Sequence, residues 1–461
     1  MSTLEVSDVT GYQFFWQILT LLWRRNGVCD QRSPQHSNQS YLGSLPREHK
    51  WDMDFISLPV EIILSVFSFL SPRHIKETRL VCKTFCRYSS QYLIDSVFAG
   101  SQTNTLERLE AISKHDIFCK AITTVVYSTC SLRRDYATVG EYYEDLYQLR
   151  GRVTLEENRN TIPTKERCEV YWGKYREVYD DQLRVLQDNS DKTRITIALQ
   201  SMPNIKHLVL SGDAWKSPAH PLHSVWQSGS DLIITPTYDS DDGPWQLSHG
   251  FEVMSSALLA NKIHAVSLTQ VEPHYIPEVL RSNCYTKELR QFFASLENIS
   301  LYFNDDSIDY LDSVKNCLST AKRLESLELI VETLEDRTDF TALLNNSWPN
   351  LTSISLQFAL DYEPFVAFCR KHRNVRSLIL KQSALFGGTW EDVVLIMREC
   401  FHLRDARIEG LTERDGEFAW IPTNDKLTDT LRLPNVEHYL VHGGANPFRS
   451  GALELESLEY L

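Results

Sequence analysis

Two periods of apolar residues run through the chain. Between Pro59 and Phe85, Ile62, Ile63, Val66, Phe67 and Leu70 recur at helical spacing, and Ile75, Cys82 and Phe85 do so again with Arg79 on the flank. Pro59 suits a first helical position, where its missing N–H would have no intrahelical partner, and Glu61 complements the positive end of the helix dipole. Ser71-Pro72 repeats the start signal as an N-cap followed by proline. The pattern predicts a helical hairpin, with Tyr92, Leu93, Val97 and Phe98 supplying a third helix. A unit of roughly 45 residues buries too little to offset its ordering entropy, so this hairpin is expected to complete its core against another surface.

Further on the period changes. The unit apolar-x-x-apolar-x-apolar occurs at Ile122/Val125/Tyr127, Ile205/Leu208/Leu210, Ile263/Val266/Leu268 and Leu296/Ile299/Leu301. It continues at Leu324/Leu327/Leu329, Leu351/Ile354/Leu356, Val375/Leu378/Leu380, Leu403/Ala406/Ile408 and Val436/Tyr439/Val441. From 263 onward, successive units begin 33, 28, 27, 24, 28 and 33 residues apart, which is the spacing of a repeat. Each unit reads as a short strand with two alternate apolar residues facing inward, followed by a covering helix such as Leu311/Val314/Leu318, Phe365/Phe368/Cys369 or Trp390/Val393/Val394/Met397. One unit alone cannot bury its apolar face, whereas stacked units can.

Two segments break the rhythm. Residues 141–200 read as strongly helical, with Tyr171, Trp172, Tyr175, Val178, Tyr179, Leu183 and Leu186 along one face, an aromatic stripe typical of core. Residues 211–250 carry Trp215, Trp226 and Trp245 with several prolines and an acidic run at 239–242, too long for an ordinary loop: either disordered or a flap over one end of the array, the flap preferred because three tryptophans are rarely left in water.

The residue identities add a resemblance. Leu58-Pro59-x-Glu61-Ile62, then Phe67-x-x-Leu70, then Arg79-x-Val81-Cys82-Lys83-x-Phe85 resembles the F-box motif in identity and spacing, over about residues 54–98, with His74 standing where that family often has an acidic residue. The resemblance implies docking on the adaptor of an SCF-type ubiquitin ligase, and through it on the cullin scaffold, with Leu58, Pro59, Ile62, Ile63, Val66 and Leu70 facing the adaptor or supporting that face. The later repeats resemble the degenerate leucine-rich repeats that commonly follow an F-box, although at the position where that family carries Asn or Cys only Asn304 conforms. The expected fold is α/β: a three-helix F-box followed by an irregular leucine-rich-repeat-like solenoid. The expected division is a flexible leader over 1–53 with an apolar helix near 12–23, the F-box over 54–98, a helical connector with a first repeat-like strand over 99–200, and a substrate-recognition solenoid over 201–461 with its insert at 211–250.

Composition narrows the function. A net charge of −14 and the absence of a long basic block disfavour nucleic acid as a partner. The ten cysteines are scattered with no C-x-x-C pair, which excludes the usual zinc spacings and points to a reduced, cytoplasmic or nuclear protein. Tyr12–Trp23 is apolar but, at 12 residues, shorter than the roughly 20 a bilayer helix needs. Acidic Glu5 and Asp8 ahead of it argue against a signal peptide, so a partner-docking helix or a packed stretch is preferred to a membrane-surface helix. No phosphate loop, H-E-x-x-H or G-x-S-x-G occurs, so neither catalysis nor a cofactor nor a metal is expected.

Alternation along the repeat strands names a second candidate surface. Positions between and after the inward apolar pairs point the other way. Among them Tyr302, Gln357, Lys381, Arg407 and Glu409 carry the side chains best suited to hold a protein substrate. The expected function is a non-catalytic substrate receptor of an SCF-type ligase, holding an unidentified protein substrate. An F-box scaffold acting outside degradation, and a hydrolase or transferase on an irregular α/β fold, are the two competing readings.

Overall fold

A computed structural model describes residues 58–129, 138–141, 165–212, 214, 217–221, 245–270, 287–303, 311–331, 339–413, 418–422 and 432–457. The apolar leader helix, the linker that follows it and most of the 211–250 insert lie outside the described residues. The chain divides into two units between Leu93 and Ile94.

The first unit is helical: α1 Val60–Ser68, α2 Pro72–Thr78 and α3 Lys83–Ser89, with a 3₁₀ turn at Ser90–Tyr92. Its core is small, Ile63, Phe67, Ile75 and Phe85, with Leu58, Val66, Leu70, Val81, Cys82, Tyr88, Tyr92 and Leu93 packed around it. Phe67 and Phe85 meet edge to face at 5.4 Å, the arrangement favoured by aromatic quadrupoles. The third helix therefore comes earlier than expected. Val97 and Phe98 lie instead on a strand of the second unit, because Ile94-x-x-Val97-x-Ala99 carries the same two-period pattern as the later repeats.

In the second unit, β1 Ser96–Gly100, α4 Thr103–Ser113, α5 Phe118–Ala121, β2 Thr124–Ser128, α6 Lys165–Gln187, α7 Ser190–Leu199 and β3 His207–Ser211 come first. Then follow α8 Trp245–Ala260, β4 Ser267–Gln270, α9 Lys287–Ser295, β5 Asn298–Phe303, α10 Leu311–Thr320, β6 Ser326–Val331, a 3₁₀ helix Asp339–Asn345, β7 Ser353–Gln357 and the short β8 Leu360–Asp361. The chain ends with α11 Tyr362–Lys371, β9 Ser377–Phe386, α12 Trp390–Cys400, β10 Asp405–Glu413, β11 Phe418–Pro422, α13 Pro434–His442 and β12 Leu453–Ser457.

These strands form one open sheet in chain order, β1 to β7, then β9 to β12, with β8 beside β9. Pairing is parallel from β1 to β10, while β11 and β12 close the series antiparallel. One backbone device recurs before β2 to β7, β9 and β10: a single carbonyl accepts two successive N–H groups of the next segment. It is made by Asp95, Thr123, Lys206, Val266, Glu297, Glu325, Thr352 and Arg376 in turn. Asn204, Asn350 and Asn374 strengthen the same loops by donating from their side-chain amides to the preceding loop, to Lys120, Lys322 and Pro349. The inward residues join a continuous core with the helices, in which Leu327, Leu329, Ile354, Leu356, Leu378, Leu380, Phe365, Trp348 and Trp390 are fully buried. Tyr175 and Tyr179 of the α6 stripe are buried, whereas Tyr171 and Trp172 are half-exposed.

Two repeat units differ from expectation. Leu208 pairs with Leu268, so the frame at β4 is Ala265-x-x-Leu268 rather than Ile263/Val266/Leu268. Val436/Tyr439/Val441 is not a strand but lies on α13. Pro434-Asn435-Val436 copies the Pro-Asn-apolar lead-in of β3 and β7, yet here the proline opens a helix, a position its missing N–H tolerates. Alternation from the expected units would put Ser267 beside Val209 and Leu440 on the outward face; instead Ser267 pairs with His207, Thr269 with Val209, and Leu440 lies buried on α13.

Candidate functional site: a helical docking unit and a polar sheet face

In the helical unit, short local signals place the side chains. Pro59 precedes α1, and Ser71 accepts from the His74 N–H to start α2. The Cys82 Sγ accepts from the Phe85 N–H at 3.4 Å to start α3. Thr78 Oγ1 donates to the His74 carbonyl at 2.8 Å. With the helix starts set, α1 turns Ile63 and Phe67 inward and leaves Pro59 and Ile62 outside.

Of the residues expected at an adaptor face, Pro59 is exposed and Ile62 is 50% exposed, while Leu58, Val66 and Leu70 are half-buried against the small core. Ile63 is 2% exposed and belongs to the small core itself. Sequence reasoning missed two members of the exposed apolar surface, Phe69 at 84% and Leu80 at 87%. Phe69 follows Ile62 by seven residues in continuous helical backbone, which puts both on one side of α1. The available signal was the apolar excess of Phe67-Ser68-Phe69-Leu70, more than one helix face can bury.

Residues 55–97 match the model of the F-box-like family. The chain carries an F-box-like domain. A comparison with curated proteins returns no match. An F-box-like domain is a protein-interaction module, and its exposed apolar stripe is the chemistry such a role needs. Among the described residues no helix is long and apolar enough to cross a membrane, and no three His, Cys, Asp or Glu residues stand close enough to share a metal ion.

The second surface is the sheet face that turns away from the core. Parallel pairing stacks its residues in rows. One row runs Ser96, Thr124, His207, Ser267, Asn298, Ser326, Ser353, Ser377, Asp405, polar at every strand from β1 to β7 and at β9 and β10. The next runs Phe98, Val126, Val209, Thr269, Ser300, Glu328, Ser355, Ile379, Arg407. Beyond these, Tyr302 stands beside Ile330 and Ile330 beside Gln357, and Lys381 beside Glu409.

The five residues named from alternation thus share one face on β5, β7, β9 and β10. Tyr302, Gln357, Lys381 and Glu409 are half-buried and Arg407 is exposed. Arg407 donates to Glu409 Oε1 at 2.7 Å, so these two form a neutral pair. Gln357 donates to Gln382 Oε1 at 3.1 Å. Glu328, between the inward Leu327 and Leu329, is not among the five, yet its carboxylate is held at both oxygens. Ser300 Oγ donates to its Oε2 at 2.7 Å and Ser355 Oγ to its Oε1 at 3.3 Å.

Proposed function

We propose that this chain is the substrate-recognition subunit of an SCF-type cullin ubiquitin ligase. The F-box-like unit docks on the ligase adaptor and so reaches the cullin scaffold, and the second unit, a leucine-rich-repeat-like solenoid, holds a protein substrate. The observation that carries the reading is the F-box-like match over 55–97 together with exposed Pro59, Ile62, Phe69 and Leu80 on a unit whose own core has four fully buried residues. The recurring carbonyl device and the near-regular spacing of β4 to β10 support the repeat assignment.

In this role the chain catalyses nothing. Holding a substrate lysine near the ligase's ubiquitin carrier raises the effective concentration of the reacting groups, which is where the rate is gained. The site of action is the cytoplasm or nucleus, where such ligases work. The substrate contacts are Tyr302, Gln357, Lys381, Arg407 and Glu409 on the outward sheet face.

Calorimetric titration with the purified adaptor tests the docking half, wild type beside Leu58→Ala/Pro59→Ala. Tight binding abolished in the double variant is expected; no binding by the wild type would remove the receptor reading. For the recognition half, a Tyr302→Ala/Arg407→Ala chain expressed in cells should still bring down the adaptor while its substrate accumulates. Adaptor binding with no protein stabilised on deletion of residues 54–98 would favour a scaffold acting outside degradation.

A further inference from the structure

Glu328 is a fixed negative charge in neutral surroundings. Its two oxygens are each held by a serine hydroxyl from a flanking strand, Ser300 on β5 and Ser355 on β7. None of the eight positions that surround it on the face, on β5, β6 and β7, is charged. No ion pair among the described residues involves it. Of the cations on this face toward the C-terminal end, Arg407 is occupied by Glu409, and Lys381 stands two strands from β6, roughly 10 Å to the side at the usual strand spacing.

A half-buried carboxylate costs desolvation, and two neutral hydroxyls answer only part of it. Its neighbours across the strands, Ser300 and Ser355, and the row on one side, Asn298, Ser326 and Ser353, are short, while Ile330 on its own strand and Tyr302 beside it give apolar surface on the other side. A metal ion does not fit, since one carboxylate and two serines are a poor ligand set and no three-ligand group exists among the described residues. The group stands on an open strand face, so the cation it suits arrives on a larger body.

We infer that Glu328 is the anchor for a basic side chain, lysine or arginine, presented by a protein partner with an aliphatic or aromatic residue next to it. The partner's cation displaces water over the oriented carboxylate, and its apolar neighbour lies on Ile330 and Tyr302. This assignment rests on the outward sheet face being the recognition surface, and it supplies the chemistry that the substrate must carry.

The test uses the full chain and short peptide pools with a central Arg, Lys, Gln or Glu and randomised flanks, measured by retention on the immobilised protein. Wild type should retain the Arg and Lys pools about tenfold over the Gln and Glu pools, the scale of one charge-assisted hydrogen bond. Glu328→Gln keeps the size and an acceptor for the serines but drops the charge, so its preference should vanish at an unchanged melting midpoint. Glu328→Lys should favour the Glu pool. Equal retention of all pools by wild type, no retention of any, or an unaltered preference in Glu328→Gln would each overturn the inference. Adaptor titration of the same samples separates the two readings: adaptor binding without charge preference removes only this site, and charge preference without adaptor binding removes the ligase reading and leaves the site.

Discussion

The helical unit and the sheet unit solve the burial problem in opposite ways. In the first, four fully buried apolar residues hold three short helices, and Phe69, Leu80 and half of Ile62 remain in water. In the second, the parallel strands and the helices between them share one continuous core, and the residues left outside from β1 to β10 are mostly serine, threonine and scattered charges. Size explains the contrast, since a large sheet-and-helix unit buries a larger share of its surface than three short helices can. It also sorts function. An unfinished apolar surface asks for a permanent, shape-matched partner, whereas a solvated polar face carries selectivity through a few placed groups.

The comparison breaks most sharply under core truncation. Trp390 is fully buried on α12, its indole N–H donates to the Thr412 carbonyl at 2.8 Å, and its backbone N–H meets the Glu413 carboxylate. Trp390→Ala should cost about 3–5 kcal/mol of sheet-unit stability in chemical denaturation. Phe67→Ala removes an aromatic of a four-residue core, and its cost of about 3 kcal/mol should melt the helical unit while amide exchange in β5 to β10 stays protected. If both truncations unfolded the whole chain in one transition, the two regions would not be energetically distinct.

Surface changes sharpen the contrast. Ile62→Ser with Phe69→Ser should cost no more than about 1 kcal/mol of stability, because Phe69 is in water and Ile62 is half exposed, yet weaken adaptor binding more than about tenfold by calorimetry. A pH effect belongs to the sheet unit. His372 is buried, its Nε2 accepts from the Trp348 N–H at 3.1 Å, and its Nδ1 lies 3.0 Å from the Phe368 carbonyl. Burial holds its pKa below the ordinary 6.5, against the opposing pull of that carbonyl. The unfolded chain therefore takes up the proton first. The stability is present above pH 6.5 and is lost as pH falls from there through the folded value. His372→Gln should flatten that part of the slope between about pH 7 and 5 in thermal melts.

The smallest effect is expected at Glu110, whose hydrogen bond and charge interaction with Arg194 tie α4 to α7 and hold its carboxyl below the usual range. Its contribution is present above the unfolded pKa and fades as pH falls through the folded one. The pair is partly exposed, so Glu110→Gln should cost under about 0.5 kcal/mol at neutral pH and nothing in acid.

Much of this was written locally. The F-box-like helices follow from Pro59, Ser71-Pro72 and an apolar stripe, because a helix start and a 3.6-residue period are properties of adjacent residues. The inward pairs of β2, β3, β5, β6, β7 and β9 were legible for the same reason, since alternation along a strand is local. Where two local readings were equally good, pairing decided. Val97 could sit on a helix until β2 lay beside it, Ile263 could open a repeat until Leu208 met Leu268, and Val436 could begin a strand until Pro434 started a helix. The candidate face shows the same division. Alternation put Tyr302, Gln357, Lys381, Arg407 and Glu409 on one side, but the Arg407–Glu409 pairing needed side-chain geometry. The isolation of Glu328 depends on residues 28 positions before it and 27 after it, which only the stacking of β5, β6 and β7 brings alongside. Sequence period determines which way a side chain points; the register between strands determines what it meets, because neighbours across a parallel sheet are a whole repeat apart along the chain.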